Sequence, residues 1–326
     1  MPCSFDRTST ADDVLGDLDL SGNRVLITGV SSVGLGVETA RVLVDRGATV
    51  VGTARDLQKA QDATKAVREA ATRGGGSLEL IAMDLTDLAS VRSLADRLVE
   101  RDEAFDVVVA NAGIMAVPFG RTRDGFELQL GTNVLGHYVL TNRLVPLLRD
   151  GARLVVLSSN SHRFADFDLD DPNYERTAYE PWTAYSRSKT GDALLAVAFD
   201  ARHRSRGVRS TSVHPGIIST DLTKDQDPAE MQEMLKSMLA QDAAAGLPAF
   251  EFKSIAQGAA TTVWAGFVAD AEAVGGKYCE DCGVAQVLSD DAYVSPLWGG
   301  VRPYALDPVH AEAFWAKIGD LVDERF

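Results

Sequence analysis

The chain has 326 residues, 45% of them apolar, and a formal net charge of −15. That length and apolar share suit one large α/β sheet with insertions, while the negative charge would repel a phosphate backbone, so nucleic acid is not an expected partner. No 18-residue apolar run occurs and the Asp-rich start (Asp6, Asp12, Asp13, Asp17, Asp19) suits neither a signal nor a transit peptide, so the expectation is a cytoplasmic protein without a membrane span.

Residues 1–20 read as an N-terminal arm, a poorly ordered tail up to about Thr10, and residues 21–326 as a single domain. The apolar run Val25-Leu26-Ile27 predicts a strand over 23–29 that ends in a glycine turn, Gly29-Val30-Ser31-Ser32-Val33-Gly34-Leu35-Gly36. A helix over 35–46 follows and closes at Gly47. Then come a strand at 49–53, a polar helix over 57–72 broken by Gly74-Gly75-Gly76, a strand at 78–83 ending at Asp84, and a helix over 88–101. A short apolar strand at 106–110 precedes Asn111-Ala112-Gly113, and a long helix is expected over 126–149. A strand at 153–157 leads through Ser158-Ser159 into an Asp-rich loop. A helix over 181–204 carries Tyr185 and Lys189, and a strand at 209–213 closes on His214-Pro215-Gly216. The strands are continuous apolar runs, which implies a parallel sheet covered on both faces. Alternating strands and helices give a Rossmann-like, doubly wound α/β fold.

The region 221–253 carries Met231, Met234, Leu235, Met238 and Leu239 at helical spacing. It reads either as a mobile lid over an apolar pocket or as an ordinary amphipathic helix on the core. Beyond it, about 275–326 reads as a C-terminal extension. The chain has three cysteines. Cys279-Glu280-Asp281-Cys282 is a CxxC, but no second pair completes a zinc site and the histidines lack metal spacing, so no metal is expected.

A glycine turn between a first buried strand and a helix lets backbone N–H groups approach a pyrophosphate, with the helix N-terminus stabilising its charge. Gly29, Gly34 and Gly36 would do this. At the end of the second strand, Arg55 can pair with a 2′-phosphate, which favours NADP and leaves NAD open; Asp56 would oppose that phosphate unless it points away. Asp84 would sit near the adenine, and Asn111 and Gly113 would line the groove. Downstream, Tyr185 and Lys189 stand four residues apart and share a helix face. A cation beside a phenol favours phenolate and is expected to lower its pKa, giving a general acid/base near neutral pH.

Taken together these residues resemble the short-chain dehydrogenase/reductase family. Matching pieces are Thr28-Gly29…Gly34-x-Gly36, Asp84, Asn111-Ala112-Gly113, Asn133, Ser159, Tyr185-x-x-x-Lys189 and Pro215-Gly216-x-x-x-Thr220, in family order over about 22–222. Asn133-Val134-Leu135-Gly136-His137, the expanded Ser159–Tyr185 gap and Gly276-Lys277-Tyr278 resemble the retinol-dehydrogenase-like branch. The glycine turn is one residue longer than usual, and the basic residue that NADP members often carry there is absent.

The resemblance implies roles. Tyr185 exchanges the proton with the substrate oxygen, and Lys189 lowers the Tyr185 pKa and binds the nicotinamide ribose. Ser159 fixes the substrate oxygen, and Asn133 holds a water in a proton relay. The cofactor groove would comprise Gly29, Ser31, Ser32, Gly34, Leu35, Gly36, Arg55, Asp84, Leu85, Asn111, Ala112, Gly113, Tyr185, Lys189, Pro215, Gly216, Ile218 and Thr220. Relatives often dimerise through helices equivalent to 126–149 and 182–204, so a homodimer is an expectation that the C-terminal extension could block or reinforce.

Phe164, Phe167, Tyr174, Tyr179 and Trp182 in the gap, the lid methionines with Phe250 and Phe252, and Tyr278 and Trp298 would suit a bulky apolar alcohol, aldehyde or ketone. Arg163 is the one candidate for a carboxylate substrate. A non-catalytic dinucleotide-binding redox sensor is the alternative. A serine hydrolase is set aside because no Gly-x-Ser-x-Gly elbow occurs.

Overall fold

The computed structural model describes residues 5–218, 227–289 and 292–326. In chain order it runs through helix Ala11–Leu15 (α1), strand Arg24–Thr28 (β1), helix Leu35–Val44 (α2), strand Thr49–Ala54 (β2) and the helices Leu57–Ala63 (α3) and Lys65–Gly74 (α4). Strand Ser77–Ala82 (β3), helix Leu88–Arg101 (α5), strand Phe105–Ala110 (β4), a π-helical turn Leu130–Leu135 and helix Gly136–Arg143 (α6) follow. Then come strand Leu148–Leu157 (β5), helix Pro181–His203 (α7), strand Arg209–His214 (β6) and the helices Pro228–Ala244 (α8), Ile255–Val263 (α9) and Ala271–Val274 (α10). Strands Tyr278–Glu280 (β7) and Gly283–Val284 (β8) and helix Pro308–Val322 (α11) complete it.

The strands form one sheet in the order β3-β2-β1-β4-β5-β6-β7-β8. All pairings are parallel except the β7–β8 hairpin. Successive side chains of a strand point to opposite faces, and both faces are dry. Leu26, Val51, Val108 and Val156 join one core cluster; Val25, Ile27, Val50, Val107, Val109 and Val155 join the other. That two-sided burial is why the strands read as unbroken apolar runs.

Three expectations are corrected. Of the expected tail, the described residues from Phe5 on are tied down: Arg7 donates to the Glu251 carbonyl (3.0 Å) and Gln257 to the Thr8 carbonyl (3.1 Å), Thr10 and Asp13 form a capping box, and Ala11, Val14, Leu15 and Leu20 are buried in the core against α9 and α2. Asp12 pairs with Arg41 and Arg46, so the acidic residues that suggested solvation serve as a cap and an ion-pair partner. The polar helix over 57–72 is two helices, because Thr64 turns its hydroxyl onto the Ala60 carbonyl (2.7 Å) and leaves helical geometry. The long helix over 126–149 is also shorter at both ends. Glu127 spends its carboxylate on the Gln129 and Leu130 amides (2.9 and 2.7 Å) ahead of the π turn. At the other end a 3₁₀ turn containing Pro146, which lacks an N–H, passes directly into β5.

The C-terminal segment returns over the helices. Helix α11 packs along α7, with Trp315 beneath the Arg202 guanidinium (4.1 Å), Phe314 edge-on to Phe167 (4.8 Å), and Tyr138 of α6 edge-on to Trp315 (4.9 Å). Glu324 takes ion pairs from Arg92 and Arg143 (2.6 and 2.8 Å). The outer faces of α6 and α7 are thus covered from within the chain. No helix among the described residues is long and apolar enough to cross a membrane.

Candidate active site

Strand β1 lies between β2 and β4, so the chain leaves it in opposite directions and a crevice opens at the strand C-termini. The glycine turn crosses that crevice. Gly29 has φ +80°, and a Cβ there would lie 2.9 Å from Ala112. A Cβ on Gly36 would stand 2.6 Å from the Gly29 carbonyl oxygen and 2.7 Å from the Asn111 amide nitrogen. These two positions require glycine; Gly34, with extended backbone and only a distant neighbour at 3.9 Å, does not. The extra residue of the loop is accommodated outward, with Val30 buried and Val33 64% exposed, so Gly36 still packs on Gly29. Helix α2 starts at Leu35 with no side chain capping its first amides, which leaves them for an anion.

Thr28 ties the crevice together. Its hydroxyl oxygen accepts from the backbone amides of Asn111 and Ala112 (both 2.9 Å), and the Asn111 side chain donates to the Thr28 carbonyl (2.7 Å). With two amides donating to it, the Thr28 hydroxyl must donate its proton to His137 Nε2 (2.9 Å), so His137 Nδ1 carries the proton given to the Asn133 carbonyl (2.8 Å). Burial pushes His137 down to about 4 and keeps it neutral.

At the end of β2, Asp56 caps α3 by accepting from the Lys59 amide (3.0 Å). That contact pins the carboxylate to the helix. Arg55 and Lys59 line the cavity beside it, and neither forms an ion pair among the described residues. Lys59 escaped the sequence reading because an exposed helical lysine carries no motif. Asp84 folds back onto Thr86, accepting from its amide and hydroxyl (2.9 and 2.7 Å).

One cavity of about 1400 Å³ joins this cradle to the region of Ser159, Tyr185 and Lys189. Gly29, Ser31, Ser32, Gly34, Leu35, Gly36, Arg55, Asp84, Leu85, Asn111, Ala112, Gly113, Pro215, Gly216 and Ile218 all line it. Thr220 lies outside the described residues. The residues present therefore fit an extended dinucleotide: glycines that a Cβ would displace, a free helix N-terminus and two unpaired cations.

Tyr185 is 5% exposed, and the Ser159 hydroxyl is its hydrogen-bond neighbour. Lys189 Nζ stands 5.8 Å from the Tyr185 ring centroid. It donates to the Leu157 carbonyl and to Asp192 Oδ2, both at 2.8 Å. Lys189 acts on Tyr185 in the expected direction, lowering its pKa together with Ser159, but burial raises the phenol by more than the two offset. Asp192, one turn along α7, was missed because a lone acid at this spacing matches no pattern.

The Asn133 side chain is engaged by its own surroundings. It is fully buried in the π turn, accepts from the Ile114 amide (2.9 Å), and donates to the Ile114 carbonyl (3.0 Å) and Ser188 hydroxyl (2.9 Å). Its side chain braces the segment after β4 rather than facing the cavity.

Helix α8 roofs the substrate end. Met231, Met234, Leu235 and Met238 face the cavity half-buried, with Phe252, Phe164, Trp182 and Leu297 around them. The only fully buried side chain of α8 is Asp242, which accepts from Ser295 and Tyr293 hydroxyls (2.6 and 3.0 Å). The other expected pocket aromatics are structural. Phe167 packs on Phe314, Tyr174 on Tyr179, Tyr278 on His162, and Phe250 on Trp298. Arg163 is buried, donating to the Asn160 and Gly299 carbonyls (both 2.8 Å), and does not line the cavity. The CxxC is the turn of the β7–β8 hairpin. Both thiols are buried, and burial pushes them up to about 12 (Cys279) and 11 (Cys282).

A parallel sheet with a glycine-lined crevice running into a Ser-Tyr-Lys cluster defines a nucleotide-dependent oxidoreductase. Comparison with known proteins makes the class specific. The family model described as short chain dehydrogenase matches residues 23–231, and the chain belongs to the short-chain dehydrogenase/reductase family. A probable oxidoreductase of Streptomyces lividans is 40% identical over 306 residues, 93% of this chain and 98% of that one. Human retinol dehydrogenase 14 is 34% identical over 295 residues, 86% of this chain and 85% of that one. Among solved structures, an uncharacterised protein from Mycobacterium paratuberculosis superposes with a TM-score of 0.71 at 32% identity, covering 96% of this chain and 98% of that one.

Proposed function

We propose that the protein reduces bulky apolar aldehydes or ketones, and oxidises the matching alcohols, with NADP(H) as the preferred cofactor. When bound, the nicotinamide supplies or accepts the hydride. Gly29, Gly36 and the free amides of α2 hold its pyrophosphate, Arg55 and Lys59 take a 2′-phosphate, and Lys189 takes the ribose beside Tyr185. Asp56, turned into its cap, leaves those two cations in charge of the 2′ position. In carbonyl reduction the Tyr185 phenol gives its proton to the substrate oxygen, which Ser159 steadies; in oxidation the phenolate takes it back. Asn133 acts by bracing the segment at Ile114.

The observation that carries this reading is the single cavity that places Tyr185, Ser159 and Lys189 between a nucleotide cradle and an apolar roof. The described part of the roof and its surround offers no cation for a substrate carboxylate: Arg55 and Lys59 lie at the far end, and Lys189 is engaged. The test is NADPH and NADH consumption, read at 340 nm, against a panel of aromatic, terpenoid and steroid aldehydes and ketones. Turnover with NADPH is expected. Tight NADPH binding with no turnover across the panel would replace this reading with a redox sensor.

A further inference from the structure

Lys189 and Asp192 form an ion pair inside the protein, with 6% and 1% of their surfaces exposed. Its placement is specific. An ammonium has three protons to donate. One goes to the Leu157 carbonyl and one to Asp192 Oδ2, each at 2.8 Å, so a single proton remains for a ribose or for the side of Tyr185. The second carboxylate oxygen, Asp192 Oδ1, is buried without a hydrogen-bond partner among the described residues. An amide of the same shape could keep a hydrogen bond to Lys189 but not the negative charge that balances the buried ammonium. A buried anion paired with the ammonium beside the reacting phenol, two turns along the same helix from it, has an electrostatic effect on that phenol whatever else it does.

We propose that Asp192 is a positioning residue that holds the Lys189 ammonium and offsets part of its pull on the Tyr185 proton. The inference rests on Tyr185 being the proton donor. The groups around the pair leave Asp192 as the deciding charge. From α7 itself come Tyr185, Lys189 and Asp192. From the end of β5 come only the Leu157 carbonyl and the Ser158 and Ser159 hydroxyls. From α6 comes His137, which burial keeps neutral, and from β7 comes Tyr278, which burial holds well above the usual phenol value. Among the described residues no other carboxylate pairs with Lys189. The direction of the Tyr185 shift agrees: burial raises it first, Lys189 and Ser159 lower it, and Asp192 raises it again.

The test needs no substrate. Tyrosinate absorbance at 295 nm is titrated for the wild type and for Asp192→Asn, each with its own Tyr185→Phe partner subtracted, so that only Tyr185 is read. Asp192→Asn is expected to lower the Tyr185 midpoint by about one pH unit, an approximately tenfold rise in phenolate at a given pH. Asp192→Glu, which keeps the charge, is expected to stay at the wild-type midpoint. An unmoved or raised midpoint in Asp192→Asn overturns the proposal and leaves Asp192 a packing group. If the Asn variant does not fold, Asp192→Ser is read by the same criterion. Turnover of the single Tyr185→Phe variant is scored separately, because activity retained there would sink the proton-donor role without deciding what Asp192 does to the phenol.

Discussion

The two ends of the cleft are built on opposite terms. At the cofactor end the fit is made by backbone: Gly29 and Gly36 sit where any Cβ would strike main chain or the Asn111 amide, and Thr28 locks β1 to the segment after β4. At the substrate end the wall is made of half-buried side chains on α8, chiefly methionines, and that helix is anchored by one buried carboxylate. Backbone geometry admits few substitutions, whereas long unbranched side chains repack around different shapes. One end is therefore fixed for a constant cofactor and the other is open to variation in substrate.

Mutations at the two ends, and at the phenol between them, can break this contrast. The largest effect is expected from Tyr185→Phe: loss of turnover by about 10²-fold or more with NADPH binding retained, since a positioned acid/base contributes on that order. Residual activity above about one tenth of wild type, read at 340 nm, would remove Tyr185 from the proton step. Next is Gly36→Ala against Gly34→Ala. Overpacking at Gly36 costs roughly 1–3 kcal/mol and should abolish or severely weaken cofactor binding in a fluorescence titration, while Gly34→Ala should bind as wild type. Equal losses at both would mean that the close approach at Gly36 is not what shapes the cradle.

Smaller is Arg55→Ala, expected to raise the Kd for NADPH about tenfold and to leave NADH nearly unchanged, as for a lost charge-assisted contact. Equal effects on both cofactors would move the 2′-phosphate away from Arg55. The smallest is Met234→Ala at the roof. It should change KM across a panel of bulky substrates by a few-fold and leave NADPH binding alone, because neighbouring unbranched side chains repack and hold the loss to about 1 kcal/mol. A change in cofactor affinity would show that the two ends are not independent. The covering of α6 and α7 by α11 adds one more test: the protein is expected to run as a monomer in size-exclusion chromatography with light scattering, and a dimer there would require a surface other than these helix faces.

Much of the site was legible because its chemistry depends on local spacing. Tyr185 and Lys189 are one helical turn apart; Gly29, Asn111 and Asp84 follow strands whose apolar runs were plain, and Gly36 lies in the first turn of the helix after the first of them. The parts that escaped depend on contacts distant in sequence. Arg163 looked available for a substrate until its guanidinium met Gly299, 136 residues on. Phe167 looked like a pocket wall until α11 covered it. The stretch up to about Thr10 looked like a poorly ordered tail because capping aspartates have the same composition as disordered ones.

By itself the sequence determined the doubly wound sheet, the crevice at the ends of its strands and the trio Ser159, Tyr185 and Lys189, since period, strand length and helical spacing are properties of neighbouring residues. Only the tertiary structure decided how acidic the phenol is. A charge deep in the protein interacts with whatever surrounds it in space: burial raises the phenol against the lowering by the ammonium that spacing alone had placed beside it, and that ammonium is itself held by Asp192.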